Sequence, residues 1–186
     1  MYFLVAGSLI FFGVHFYSAF RTRVPGKDIR ERLGAGRFMA AYGFLSIVGF
    51  ILMVWGYGLS RPSPELFTPP PWGRLSTYIL MLPAFILLAS AYVPRGYIKH
   101  YAKHPMLLAT ILWSFGHLLS NGEVNSAILF GGFLAFALVD RLSVMNRTEP
   151  IQKISTVSDV VAVIIGIIAY GLTLKLLHPA LIGIAI

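Results

Sequence analysis

The chain has 186 residues and a net charge of +8, yet only 12% of its residues are charged and its mean hydropathy is +0.76. An ordinary soluble domain carries about twice that charge, so this composition excludes one and indicates an integral membrane protein. The basic residues fall in short segments between long apolar runs, as topogenic charges do, which argues for membrane lipid and against nucleic acid as the partner.

Cysteine is absent. That excludes disulfides, iron–sulfur ligation and thiolate catalysis and leaves five histidines as the main candidates for metal chemistry.

Residues 3–20 form the first apolar run, with no basic n-region and no small-residue cleavage site, and read as a retained span. His15 interrupts it, on a stripe with Ser8, Phe11, Phe12, Ser18 and Ala19. Residues 21–37 are a basic loop with a Pro-Gly turn and a short amphipathic piece around Ile29–Leu33. The second span, 38–59, contains Gly43, Gly49, Gly56 and Gly58, which permit close helix packing. Residues 61–74 hold five prolines and read as an irregular connection, with Phe67 and Trp72 suited to the membrane interface.

The third span covers about 75–93, and Pro83 inside it predicts a kink. Residues 95–103 are short, basic and rich in tyrosine, and read as an interfacial segment. His100 and His104 are four apart there, a weak two-histidine pattern without a carboxylate nearby. The fourth span, 105–119, is short, with Pro105 at a helix N1 position. Residues 120–123 form a tight turn, 124–140 a fifth span and 143–159 a polar connection. A sixth span follows at about 160–176, and residues 177–186 form a short apolar tail. The chain thus reads as one all-α domain over residues 1–186, a bundle of about six transmembrane helices.

Segments 21–37, 95–103 and 141–153 together hold twelve Lys and Arg, whereas the other side has only Arg61, Arg74 and Lys175. The positive-inside rule therefore places both termini outside and the three basic loops in the cytoplasm.

The stretch KHPMLLATILWSFGHLLSNGE, residues 103–123, buries a second histidine, His117, deep in an apolar run. A neutral imidazole has a donor and an acceptor, and leaving either unpaired in hydrocarbon costs on the order of a few kcal/mol. His117 therefore faces a partner, a cavity or a metal.

That stretch, followed by ILFGGFLAFALVD and the closing LHPALIGI, resembles the NnrU family of bacterial membrane proteins. The same core is similar to plant zeta-carotene isomerase, a haem b protein. The resemblance implies a six-span protein of the bacterial inner membrane, linked to denitrification and nitric oxide metabolism. From the isomerase it implies haem b, a small hydrophobic substrate and carotenoid cis–trans isomerisation. Its first-span haem histidine matches His15, and the histidine of its Cys-x-x-His pattern matches His117. The cysteine of that pattern is Ser114 here, which puts isomerase activity in doubt while leaving haem binding open.

His104 and His117 are separated by roughly 20 Å along one helix and about 140° around it, so they cannot ligate one iron together. His15 with His117 and His15 with His104 are the competing pairs. His104 also reads as a helix-start residue for a propionate or a lipid phosphate, with Lys103 beside it. Asn121, four residues after His117, is placed to orient that imidazole, although Asn before Gly is also ordinary turn chemistry. His178 reads as interfacial. Two other classes stay open: a cofactor-free transporter or assembly factor for a respiratory reductase, and a methyltransferase, for which the acidic and aromatic cofactor segment is absent from 143–159.

Overall fold

The computed structural model describes residues 1–145 and 153–182. Residues 146–152 of the expected polar connection and 183–186 of the expected tail lie outside the described residues. In chain order the helices are α1 (Tyr2–Phe20), α2 (Ile29–Leu33), α3 (Ala35–Leu59), α4 (Gly73–Tyr92), α5 (Tyr97–Ala102), α6 (Pro105–Ser120), α7 (Val124–Val144), α8 (Thr156–Leu172) and α9 (His178–Ile182). Five helices, α1, α3, α4, α7 and the segment Thr156–Ala180, are long and apolar enough to cross a membrane, and Pro105–Ser120 is a shorter apolar helix. Leu9, Phe44, Ile47 and Val157 are each more than 60% exposed. Apolar side chains facing outward are what lipid as a solvent favours.

The described residues fall into two compact units, one made of Met1–Thr68 with Asn121–Ser143 and the other of Pro69–Ser120 with Val144–Ile186.

In the first unit α1 and α3 pack through glycine. A Cβ on Gly7 would collide with the Met53 nitrogen and one on Gly56 with the Leu4 nitrogen, while one on Gly49 would sit 2.7 Å from the Phe11 nitrogen. Small residues let two backbones meet where lipid offers no hydrophobic drive for association. Leu4, Gly7 and Phe11 on α1 face Gly56, Met53 and Gly49 on α3, so both helices contribute positions three and four residues apart. Gly43 and Gly58 have open space around them and take no part. Between these helices Asp28 caps α2, its Oδ1 accepting from the Arg30 N–H at 2.9 Å, and its other oxygen pairs with Arg21. Gly34 ends α2 at φ 83°, a conformation glycine adopts without penalty.

The proline-rich connection is more ordered than its composition predicts. Glu65 forms an antiparallel bridge with Glu123, the Leu66 N–H donating to the Gly122 carbonyl at 2.8 Å and the Val124 N–H to the Pro64 carbonyl at 2.9 Å. Residues 121–123 are thus one side of a bridge as well as a turn. Proline removes donors but keeps its carbonyl, so Pro64 still serves as an acceptor.

In the second unit α4 receives α6 and α8. The Thr77 hydroxyl lies 2.6 Å from the Gly116 carbonyl, and the Tyr170 hydroxyl donates to the Tyr78 carbonyl at 3.1 Å. A Cβ on Gly166 would sit 2.7 Å from the Ile86 Cα. Helix α4 runs on through Pro83. The segment read as interfacial forms α5, tied through its first three residues. Lys99 Nζ donates to the Ala91 and Val93 carbonyls at 2.8 and 3.2 Å. The Asp159 carboxylate accepts from the Tyr97 and Ile98 N–H groups at 2.8 and 2.9 Å. Helix α8 starts four residues before the expected 160 because its polar first turn is used for this cap. The expected tail continues α8 instead, through a π-helical turn, Thr173–Leu177, into α9.

Candidate functional site

His15 sits one turn after Phe11 on α1, where the glycine contacts with α3 end. Its Nδ1 lies 2.7 Å from the Phe11 carbonyl oxygen. Only a protonated nitrogen makes that contact attractive, so Nδ1 carries the hydrogen and the neutral ring presents its lone pair on Nε2. Three aromatic rings surround the imidazole: Phe11 stacked at 4.1 Å, Tyr42 of α3 at 5.2 Å and Phe136 of α7 edge-on at 5.4 Å. Tyr42 lies seven residues before Gly49, on the same face of α3 that the glycine uses. Phe12 packs against Gly132, where a Cβ would collide with its ring, and meets Phe133 at 5.1 Å.

In the other unit His117 repeats the arrangement. Its Nδ1 lies 2.7 Å from the Trp113 carbonyl oxygen, which again puts the hydrogen on Nδ1 and the lone pair on Nε2. The Trp113 ring is 5.2 Å away. Ser114 is fully buried, its hydroxyl donating to the Thr110 carbonyl at 2.6 Å.

The remaining histidines differ. His104 precedes Pro105, which is the first residue of α6 as expected. Lys103 before it holds φ 57°, and the His104 N–H reaches the Ala102 carbonyl at 2.6 Å, a three-residue turn. The His104 Nε2 donates to the Val144 carbonyl at 3.3 Å, so the nitrogen that carries the lone pair in His15 and His117 is a donor here. His100 accepts from Arg95 through Nδ1 at 3.2 Å. It lies on α5, which ends at Ala102, so His100 and His104 do not share a helix. His178 opens α9, and Asn121 follows the end of α6. Among the described residues no three His, Asp or Glu side chains gather to hold a metal ion.

Tyr42 and Phe136, whose rings meet the His15 imidazole, and Asp140, one turn beyond Phe136 on α7, were not legible as site residues in the sequence. A buried histidine on α1 signals that partners exist, and an aromatic two turns before a packing glycine is the one local hint to Tyr42. A family model described as NnrU protein matches residues 3–186. No curated protein and no solved structure matches the chain.

Proposed function

Because the chain belongs to the NnrU family, we propose that it is a haem b protein of the bacterial inner membrane, serving denitrification or nitric oxide metabolism, with His15 and His117 as iron ligands. The observation that carries this reading is the Nδ1 contact of 2.7 Å that each imidazole makes to the carbonyl four residues earlier. Metal-bound histidines commonly donate the other ring N–H to such an acceptor, which fixes the tautomer and the ring plane and makes Nε2 more basic. Each of the two intramembrane histidines, held in this way, would present Nε2 to an iron, whose coordination would offset the cost of burying the ring.

Haem iron, when bound, would supply a one-electron couple. The chain's own residues do the rest. Phe11 and Phe136 keep water from the His15 ring, and Trp113 shields His117. His104, with Nε2 committed to Val144, supports the start of α6 and, with Lys103, is suited to a propionate or lipid phosphate; Asn121 has a supporting role near the end of that helix. The absence of a thiol at Ser114 favours electron transfer or nitric oxide handling over carotenoid isomerisation. A small hydrophobic substrate reaching the site through lipid fits the apolar outer faces of the helices.

The test is an absorbance spectrum of detergent-purified protein, oxidised and reduced, followed by haem content at equal folded protein. A Soret band is expected in the parent, with loss in His15→Ala and His117→Ala and retention in His178→Ala. A parent without haem, or full occupancy without His15, overturns the assignment.

A further inference from the structure

Asp140 ends the long apolar run of α7, and no part of the reading above uses it. It lies four residues after Phe136, so the two share one face of the helix. The Phe136 ring meets His15 edge-on at 5.4 Å, which turns that face of α7 toward the imidazole. From α3, Tyr42 approaches the same imidazole at 5.2 Å. The Asp140 Oδ1 accepts from the Ser143 hydroxyl at 3.1 Å, and among the described residues no cation pairs with it. A carboxylate at the edge of an apolar span without a cationic partner is expensive, and such groups mark functional sites.

We propose that Asp140 is a positioning residue of the His15 site, its carboxylate supplying the negative charge that faces the imidazole and favours the more positive state of what His15 binds. Resting on the haem assignment, this predicts that Asp140 stabilises ferric over ferrous iron through His15. A nearby negative charge lowers a reduction potential by making the oxidised state less costly.

The experiment compares midpoint potentials of purified, haem-loaded parent, Asp140→Asn and Asp140→Glu. Asp140→Asn is expected to raise the midpoint by about 59 mV, the one-electron equivalent of a tenfold change. Asp140→Glu restores most of the parent value, which a purely structural role does not predict. An unchanged midpoint in Asp140→Asn, or the same shift in both variants, overturns the proposal. If Asp140→Asn does not fold, Asp140→Ser replaces it. If the parent holds no haem, the haem assignment fails, and Asp140 is judged by thermal unfolding in detergent of Asp140→Asn, His15→Ala and the double variant. Non-additive effects then support its action through His15, and additive effects overturn it.

Discussion

A buried imidazole must place both of its nitrogens, and His15 and His117 place one of them in the same way, on the carbonyl a turn earlier. That shared solution needs only the histidine and its own helix, so the sequence identified both residues. It could not identify Tyr42 or Phe136, which are 27 and 121 positions from His15 and meet it only through helix packing. Ser114 gives a direct test of what replaces the thiol. Its buried hydroxyl is already committed to the Thr110 carbonyl, so purified protein is expected to show no reversible thiolate-dependent spectral change and little or no conversion of a cis-carotenoid. Robust conversion in product analysis would show that the thiol is dispensable.

Asp28 offers a second test at this scale. The Arg30 backbone N–H, followed by Arg21, holds its carboxyl below the usual carboxylate range. A depressed folded-state value contributes stability that is present above the unfolded value and is lost as pH falls through the folded one. Thermal midpoints of the parent are therefore expected to drop more than those of Asp28→Asn as pH falls below about 4. Asparagine keeps an oxygen for the cap while removing the charge. Parallel pH curves for the two proteins contradict this account.

Among elements, the α1–α3 pair shows what a membrane sequence conceals. Helix α3 is apolar all round, so periodicity does not tell a face toward protein from a face toward lipid. The four glycines read as packing residues divide accordingly: Gly49 and Gly56 meet α1, and Gly43 and Gly58 do not. Gly7 was not singled out at all, although its partner is backbone. Gly49→Ala is expected to destabilise the protein by about 1–3 kcal/mol, since the new methyl meets a backbone nitrogen that cannot rotate away. Gly43→Ala, facing open space, is expected to be neutral or slightly stabilising through its better helix propensity. Unfolding of the two variants in mixed detergent measures the difference, and equal midpoints contradict the packing. The α5 ties were equally hidden, because Asp159 reads in the sequence as a polar loop residue and acts as a cap for a helix some 60 positions away.

For the whole molecule, the open question at the level of topology is whether α6 crosses. Its 16 residues span about 24 Å, short of the roughly 30 Å hydrocarbon core. The charges on either side argue that it does cross. Arg95, Lys99 and Lys103 precede it, whereas the turn that follows, Asn121 to Glu123, carries no basic residue. A helix that returned to its side of entry would leave the later basic segment, with Arg141 and Lys153, opposite the loops that hold the other basic residues, against the positive-inside rule. Modest local thinning or snorkelling of the flanking residues accommodates the short span at fractions of a kcal/mol per Å. With α6 crossing, six spans are expected, with both termini outside and residues 21–37 in the cytoplasm. An alkaline phosphatase fusion after Ile186 is then expected to be active and a green fluorescent protein fusion there dark, while a labelling site at Lys27 is reached only from the cytoplasm. A fluorescent fusion after Ile186 together with cytoplasmic labelling at Lys27 means an odd number of crossings and removes α6 first. A fluorescent fusion with Lys27 reached from outside keeps the six spans and reverses the orientation.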